Sequence, residues 1–125
     1  NARRFSSSLG LLCACTMLAG ARDANAYRAV PIGTFSNPID MRVAPGQPNS
    51  LYVAEQPGKI VVLVNERRRS RPFLDIEALV QYGGEEGLLS FAFAPDYATS
   101  GRFYVLYVNN SGNVQIDEFL RATTS

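Results

Sequence analysis

Short apolar runs separated by turn residues dominate the chain from about residue 38 onward, and this alternation is what most restricts its fold. No segment sustains the apolar repeat of 3.6 residues that an amphipathic helix needs, whereas glycine, proline and asparagine clusters interrupt the chain every few residues. An all-β fold is therefore predicted, with one short helical turn at Glu77–Val80. The predicted strands are Asp40–Ala44, Leu51–Glu55, Lys59–Val64, Leu88–Phe93, Arg102–Val108 and Val114–Leu120.

One order of elements occurs twice: a strand, an Ala-Pro pair, a loop, an aromatic strand, a turn and another strand. Ala44-Pro45 precedes Leu51-Tyr52-Val53, and Ala94-Pro95 follows the same pattern 50 residues later with Phe103-Tyr104-Val105. A period of this length in antiparallel strands is typical of β-propeller blades, which are four-stranded sheets stacked around a channel. Since a ring of roughly four to eight blades needs about 200 to 400 residues, we expect antiparallel meander sheets forming the first one to two blades of a propeller. A complete small β-sandwich or barrel is the alternative.

Residues 1–26 are typical of an export signal. They contain the basic pair Arg3-Arg4, an apolar stretch over about residues 9–21, and Ala24-Asn25-Ala26, which fits a small-residue cleavage site. We therefore expect a signal peptide over 1–26, a propeller-type domain over 27–125, and a periplasmic or secreted location. The signal does not decide between general, twin-arginine and lipoprotein export. Beyond it, no apolar run is long enough to span a bilayer.

The charge and side-chain inventory excludes several classes of function. Three arginines and one aspartate lie in the signal, so nine basic and ten acidic residues remain and the net charge is about −1. This balance argues against a nucleic-acid or anionic-membrane partner, and Arg67-Arg68-Arg69 is predicted to be a solvated hairpin end. The chain contains no histidine, and both cysteines lie in the signal. A serine-histidine-acid triad or a zinc site of histidine and cysteine therefore cannot be built from residues 27–125 alone.

The segment Gln81–Leu89 is the strongest candidate for chemistry, because glycines bracket two adjacent glutamates, Glu85 and Glu86. Glycine allows close backbone approach, and paired carboxylates can share a proton, bind a cation or accept hydrogen bonds from sugar hydroxyls. Neighbouring residues on a strand point to opposite faces, so only one of the two is expected to face a given site. A glycine-rich turn that leads into a buried strand, with both glutamates in water, is the alternative.

Several segments together, in this order and spacing, resemble the N-terminal part of the glucose/sorbosone dehydrogenase family. These dehydrogenases are exported, soluble six-bladed propellers that use pyrroloquinoline quinone (PQQ) to oxidise aldose sugars. The matching segments are Leu51–Ile60, Arg71–Ile76, Gly84–Tyr97 and Gly101–Val105.

The resemblance implies that the full-length protein oxidises an aldose at its C1 hydroxyl to the lactone, with PQQ and calcium as cofactors and an external electron acceptor. The family's base is a histidine followed by two glycines in a later blade, and its quinone and calcium ligands also come later. We therefore expect no catalytic or metal-binding residue in this chain, and no activity from the chain alone. A secreted, non-catalytic propeller that binds a protein or a glycan is the alternative function.

The resemblance also singles out one substrate-binding candidate. In the soluble glucose dehydrogenases, the position matching Glu85 is a glutamine that hydrogen-bonds the sugar. An ionised glutamate can accept such a bond but cannot donate one. Glu86 is the weaker candidate, because it is expected to point away. The chain departs from the family's usual pattern at Ser90, where a glycine is common, and at Ala94, where a histidine is common.

Overall fold

A computed structural model of the protein describes residues 27–122, and from Pro31 onward these residues belong to one compact unit. The predicted export signal, residues 1–26, lies outside the described residues. Both helices of the described part are a single turn long, the 3₁₀ helix Glu77–Leu79 and α1 at Tyr97–Ser100, and neither is long enough to cross a membrane.

The first sheet, sheet 1, is an antiparallel meander. Its strands in order are β1 (Pro38–Val43), β2 (Ser50–Glu55), β3 (Lys59–Val64) and β4 (Arg67–Arg68), and a further short strand, β5 (Leu74–Asp75), pairs with the start of β3. The register of β1 shifts by one residue between Pro38 and Asp40, which is a β-bulge. The two-residue strands β4 and β5 were not predicted, because runs this short carry no periodicity.

The second sheet, sheet 2, contains β6 (Leu88–Phe93), β7 (Arg102–Val108) and β8 (Val114–Leu120), again antiparallel and in chain order. All three strands agree with their predicted limits. The unpredicted helix α1 connects β6 to β7 and is capped by the following residue, Gly101, whose φ of 71° is the left-handed conformation that favours glycine.

The two sheets pack against each other through one face each, and we call these the core faces and the opposite faces the outer faces. Across this contact the rings of Tyr52 and Phe93 lie 5.0 Å apart, edge to face, a geometry that aromatic pairs prefer. The buried residues of this core are Ala44, Tyr52, Ala54, Ile60, Ile76, Val80, Leu88, Phe91, Tyr97, Phe103, Val105 and Tyr107. The alternation of strand residues thus fixes which face of each sheet enters the core.

A buried carboxylate holds the segment before β1 across the outer face of sheet 1. Glu55 is only 4% exposed, and its Oε1 accepts hydrogen bonds from the Ser36 N–H at 3.0 Å and from Arg68 Nη1 at 3.2 Å. Arg68 also donates to the Thr34 carbonyl at 3.1 Å, and its guanidinium lies over the ring of Phe35. The arginine run therefore does follow a hairpin turn, but Arg68 is an anchor and not simply a solvated side chain.

Candidate functional site

The glycine-bracketed segment forms a tight turn just before sheet 2 begins. The N–H of Glu86 donates to the carbonyl of Gly83 at 2.9 Å, and the N–H of Gly83 donates back to the carbonyl of Glu86 at 3.3 Å. Between them, Gly84 has a φ of 58° and Glu85 a negative φ, and a positive φ at the first central position alone is typical of a type II′ turn. The turn places Glu85 at its exposed corner.

The side chain of Gln56, in the turn between β2 and β3, fastens this turn to sheet 1. Its Nε2 donates to the carbonyl of Gly84 at 3.1 Å and to that of Glu86 at 3.2 Å. Its backbone carbonyl accepts from the N–H of Leu88 at 2.8 Å. Two hydrogen bonds that Gln56 donates and one that it accepts therefore fix the chain on both sides of Glu85. Gln56 lies in a segment that carries the family resemblance, but nothing in its spacing from Glu85 could have predicted this contact.

Gly87 lets the two chain segments approach this closely. A Cβ at this position would lie 2.5 Å from the carbonyl oxygen of Gln56 and 2.6 Å from its Cγ. The carbonyl of Gly87 also accepts from the N–H of Val108 at 2.9 Å, which joins the turn to the end of β7. Any side chain at position 87 must push these backbone segments apart.

The structure separates the two glutamates. Within residues 27–122, no hydrogen bond or ion pair engages the exposed carboxylate of Glu85. The carboxylate of Glu86, in contrast, is half-buried and accepts from Gln81 Nε2 at 2.6 Å. The sequence analysis assumed that the two glutamates lie on a strand. They lie in the turn instead, so the turn and the bond from Gln81 separate their side chains.

A half-buried polar network lies beside the turn, at the end of sheet 2. Tyr107 Oη donates to Asp117 Oδ2 at 2.7 Å, Gln115 Nε2 donates to both oxygens of Asp117, and Asn109 Nδ2 donates to Gln115 Oε1 at 2.8 Å. Burial, followed by the bond to Asp117, raises the pKa of Tyr107 to about 12. The bonds from Gln115 and Tyr107 lower the pKa of Asp117. The sequence analysis missed this network, in which Gln115 and Asp117 alternate along β8 and so share one face, with Tyr107 opposite Gln115 on β7.

A second polar contact that the sequence did not reveal joins the first strands of the two sheets. Ser90 Oγ on β6 donates to Asp40 Oδ2 on β1 at 2.9 Å, and Arg42 pairs with the same oxygen at 3.0 Å. Ser90, which the sequence analysis singled out as a departure from the family pattern, therefore links the two sheets.

The described part of the chain offers no ready metal centre. Among residues 27–122, no group of three or more aspartate, glutamate, histidine or cysteine side chains is placed so that it could hold a metal ion. These residues therefore do not fit calcium by themselves.

Comparison with known proteins decides the family. The model of the family described as glucose/sorbosone dehydrogenase matches residues 35–125, which is more than two thirds of the chain. The chain belongs to the glucose/sorbosone dehydrogenase family. The resemblance seen in the sequence is thereby confirmed.

Solved structures show the same family fold. The PQQ-bound aldose sugar dehydrogenase of Streptomyces coelicolor is similar with a TM-score of 0.58 and 24% identity, over 70% of this chain and 25% of that protein. The apo form of the soluble aldose sugar dehydrogenase of Escherichia coli is similar with a TM-score of 0.51 and 23% identity, over 67% and 24%. Two packed sheets alone would also fit a sandwich, but this likeness confirms the predicted antiparallel fold of the β-propeller sugar dehydrogenases.

The chain is also similar to curated proteins that are not named as dehydrogenases. The Hedgehog-interacting proteins of Mus musculus and Homo sapiens are each 42% identical over 65 residues, which is 48% of this chain and 9% of theirs. The chain thus spans about a tenth of the length of these relatives and about a quarter of the solved structures it resembles.

Proposed function

We propose that this chain contributes the first blades, and one sugar contact, of an exported PQQ-dependent aldose sugar dehydrogenase that oxidises the C1 hydroxyl of its substrate to the lactone. Family membership supports the reaction class. The observation that carries the site is the position of Glu85, whose carboxylate stands exposed at the corner of a turn that three hydrogen bonds with Gln56 hold in place.

In this proposal Glu85 binds and orients the sugar. An ionised carboxylate accepts hydrogen bonds and donates none, so it engages a hydroxyl of the sugar as donor. Glu86 is the weaker candidate, because its carboxylate already accepts the bond from Gln81. No proton transfer is assigned to either residue.

The quinone would supply the redox chemistry when bound, since such cofactors take up the hydride while the protein positions the substrate. Because the described residues do not fit calcium, we derive no step through calcium or the quinone here. We assign the base, the cofactor contacts and the external electron acceptor's site to other parts of the full-length protein.

The test uses the complete open reading frame that encodes this chain, reconstituted with PQQ and calcium and assayed by sugar-dependent dye reduction on a panel of aldoses. Replacing Glu85→Ala removes one hydrogen bond to a charged group, for which about 1.5–3 kcal/mol is typical. The KM should therefore rise by about 10-fold to 150-fold, whereas Glu85→Gln should retain most of the affinity. Ser111→Ala, in the exposed β7–β8 loop, is the matched control and should leave KM unchanged.

Two results would count against the proposal. An unchanged KM in Glu85→Ala would remove Glu85 from the sugar site, and no oxidation of any aldose by the reconstituted protein would remove the reaction. As a separate expectation, residues 27–125 alone, with PQQ and calcium, should show no sugar-dependent dye reduction. Clear turnover by residues 27–125 alone would show that the reaction does not need the base that the family has in a later blade.

A non-catalytic, secreted propeller that binds a protein or a glycan is the second candidate. It is favoured by the 42% identity to the Hedgehog-interacting proteins, which by their name bind a protein. The same reading frame discriminates between the two candidates, because the dehydrogenase requires a histidine followed by two glycines and basic quinone ligands. Loss of these residues, together with saturable binding to a glycan or protein array, would favour the binding function.

We also propose that residues 1–26 are removed on export and that residues 27–125 are part of a periplasmic or secreted domain. Mass spectrometry of the protein from the cell envelope or the medium tests this directly. A mature N-terminus at Tyr27 is the expected result, and an uncleaved protein in the cytoplasm would contradict it.

A further inference from the structure

An aromatic side chain stands in solvent directly before the turn that carries Glu85. Among the aromatic residues of the described range 27–122, only Tyr27, at its very start, and Tyr82 are exposed, and Tyr82 is 50% exposed. The other aromatic rings are wholly or partly buried. Covering an aromatic ring is favourable, so an exposed ring in a fixed position offers apolar surface to a ligand.

Both ends of the Tyr82 side chain are held in place. On the backbone side, the N–H of the preceding residue, Gln81, donates to the carbonyl of Val108 at 2.9 Å. At the far end of the ring, Asn37 Nδ2 donates a hydrogen bond to Tyr82 Oη. The carbonyl of Asn37 in turn accepts from the N–H of Gln56 at 3.0 Å. Since Gln56 also holds the turn, the ring of Tyr82 and the turn are fastened to the same residue.

Tyr82 and Glu85 lie at the same end of the two sheets. Strand β1 begins directly after Asn37, β2 ends directly before Gln56, and β6 begins just after the turn. These strand ends meet where Gln56 contacts the turn, and Tyr82 reaches Asn37 at this end. The ring therefore borders the turn at the ends of the strands and does not belong to the outer face of either sheet.

We propose that Tyr82 is a second sugar-contacting residue, whose ring packs against the C–H face of the pyranose that Glu85 holds by a hydroxyl. This inference rests on the proposed function. A pyranose carries hydroxyls around its edge and C–H groups on its faces, and the face of an aromatic ring is negative, so it attracts C–H groups. Sites for small ligands combine aromatic lining with a few polar groups, and Tyr82 and Glu85 supply one of each.

The test uses the complete open reading frame, reconstituted with PQQ and calcium and assayed on the preferred aldose. Tyr82→Ala should raise KM by about 3-fold to 10-fold, the size of one aromatic contact. Its kcat should not change, because the ring binds the ground state and the transition state alike. Tyr82→Phe keeps the ring and should retain most of the affinity. Leu79→Ala, at 48% exposure an equally exposed apolar side chain on the preceding 3₁₀ helix, is the matched control and should leave KM unchanged.

A merely structural role for Tyr82 predicts a different pattern. If its bond with Asn37 only stabilised the fold, Tyr82→Phe and Asn37→Ala would raise KM as much as Tyr82→Ala does. Urea denaturation of each variant shows whether a change in KM follows a loss of folded protein. Equal KM values in Tyr82→Phe and Tyr82→Ala would overturn the inference.

Saturation-transfer NMR with the same aldose measures binding without turnover, in protein with and without the quinone. Saturation of the aromatic protons should reach the C–H protons of the sugar in the parent and in Tyr82→Phe, and should be reduced in Tyr82→Ala. A reduced transfer in Tyr82→Ala would support the contact even if no aldose were oxidised and the proposed reaction failed. Undiminished transfer in Tyr82→Ala would overturn the contact even in an active dehydrogenase, and so would an absence of transfer in the parent under both conditions.

Discussion

Replacing Gly87→Ala should destabilise the fold more than any other single-methyl substitution at the glycines around Glu85. The added Cβ would lie 2.5 Å from the carbonyl oxygen of Gln56 and 2.6 Å from its Cγ. The first of these atoms is backbone, so no side-chain rotation relieves the contact. The hydrogen bonds from Leu88 to Gln56 and from Val108 to Gly87 hold the same segments in place. A backbone movement that relieves the close contact therefore weakens these hydrogen bonds.

The magnitude has two parts. Gly87 has a φ of 151°, and holding a residue with a side chain in such a sparsely populated conformation costs about 1–3 kcal/mol. Overpacking adds typically 1–3 kcal/mol. We therefore expect the free energy of unfolding to fall by about 2–6 kcal/mol, a large part of the 5–15 kcal/mol typical of a domain.

Gly83→Ala is the matched control, because it carries the cost of the backbone conformation without the cost of overpacking. Gly83 has nearly the same φ, 159°, but a Cβ there would meet nothing within 4 Å. Urea denaturation of residues 27–125, followed by circular dichroism and tyrosine fluorescence, gives both free energies of unfolding. Gly87→Ala should be less stable than Gly83→Ala by about 1–3 kcal/mol. Equal destabilisation of the two variants would refute the close-approach argument and leave only the backbone conformation as a reason for Gly87.

Three further outcomes are expected. Glu55→Gln should lower the free energy of unfolding, measured by urea denaturation, by about 1–3 kcal/mol, since a neutral amide cannot compensate the charge of Arg68. Unchanged stability would mean that the contact between Glu55 and Arg68 is dispensable. The pKa of Tyr107 is raised to about 12 in the folded protein, so its contribution to stability is present below its unfolded pKa of about 10 and is lost as the pH rises toward 12. Stability measured against pH should therefore fall less steeply over this window in Tyr107→Phe, and an identical slope would contradict the raised pKa of Tyr107. Gln56→Ala should cost only about 1–2 kcal/mol globally but should speed hydrogen exchange of the turn amides, and unaltered exchange would show that the turn holds its shape without Gln56.

The sequence predicted the strands well because their signals are local. Alternation and turn residues lie within a few positions of each other, so the limits of β6, β7 and β8 agree with the structure. Elements that depend on tertiary contacts were missed. The short strand β5 forms only because it reaches the start of β3, and α1 is a single turn whose sequence has no helical period.

At the candidate site, too, the sequence predicted the local features and missed the tertiary contacts. The glycines located the turn, since a positive φ and a close approach both require them, but the partners of the turn are distant in sequence. Gln56 contacts the carbonyl of Gly84 from 28 residues away, and Ser90 contacts Asp40 from 50 residues away. No spacing rule connects such pairs, because their proximity arises only when the two sheets pack.

The side chain of Glu85 is separate from the contacts that hold its turn in place. The turn is held by hydrogen bonds between the backbones of Gly83 and Glu86 and by bonds with Gln56 and Gln81, whereas the Glu85 side chain takes part in none of them among the described residues. A substitution at position 85 therefore changes what the corner of the turn offers to a ligand at little cost to the fold.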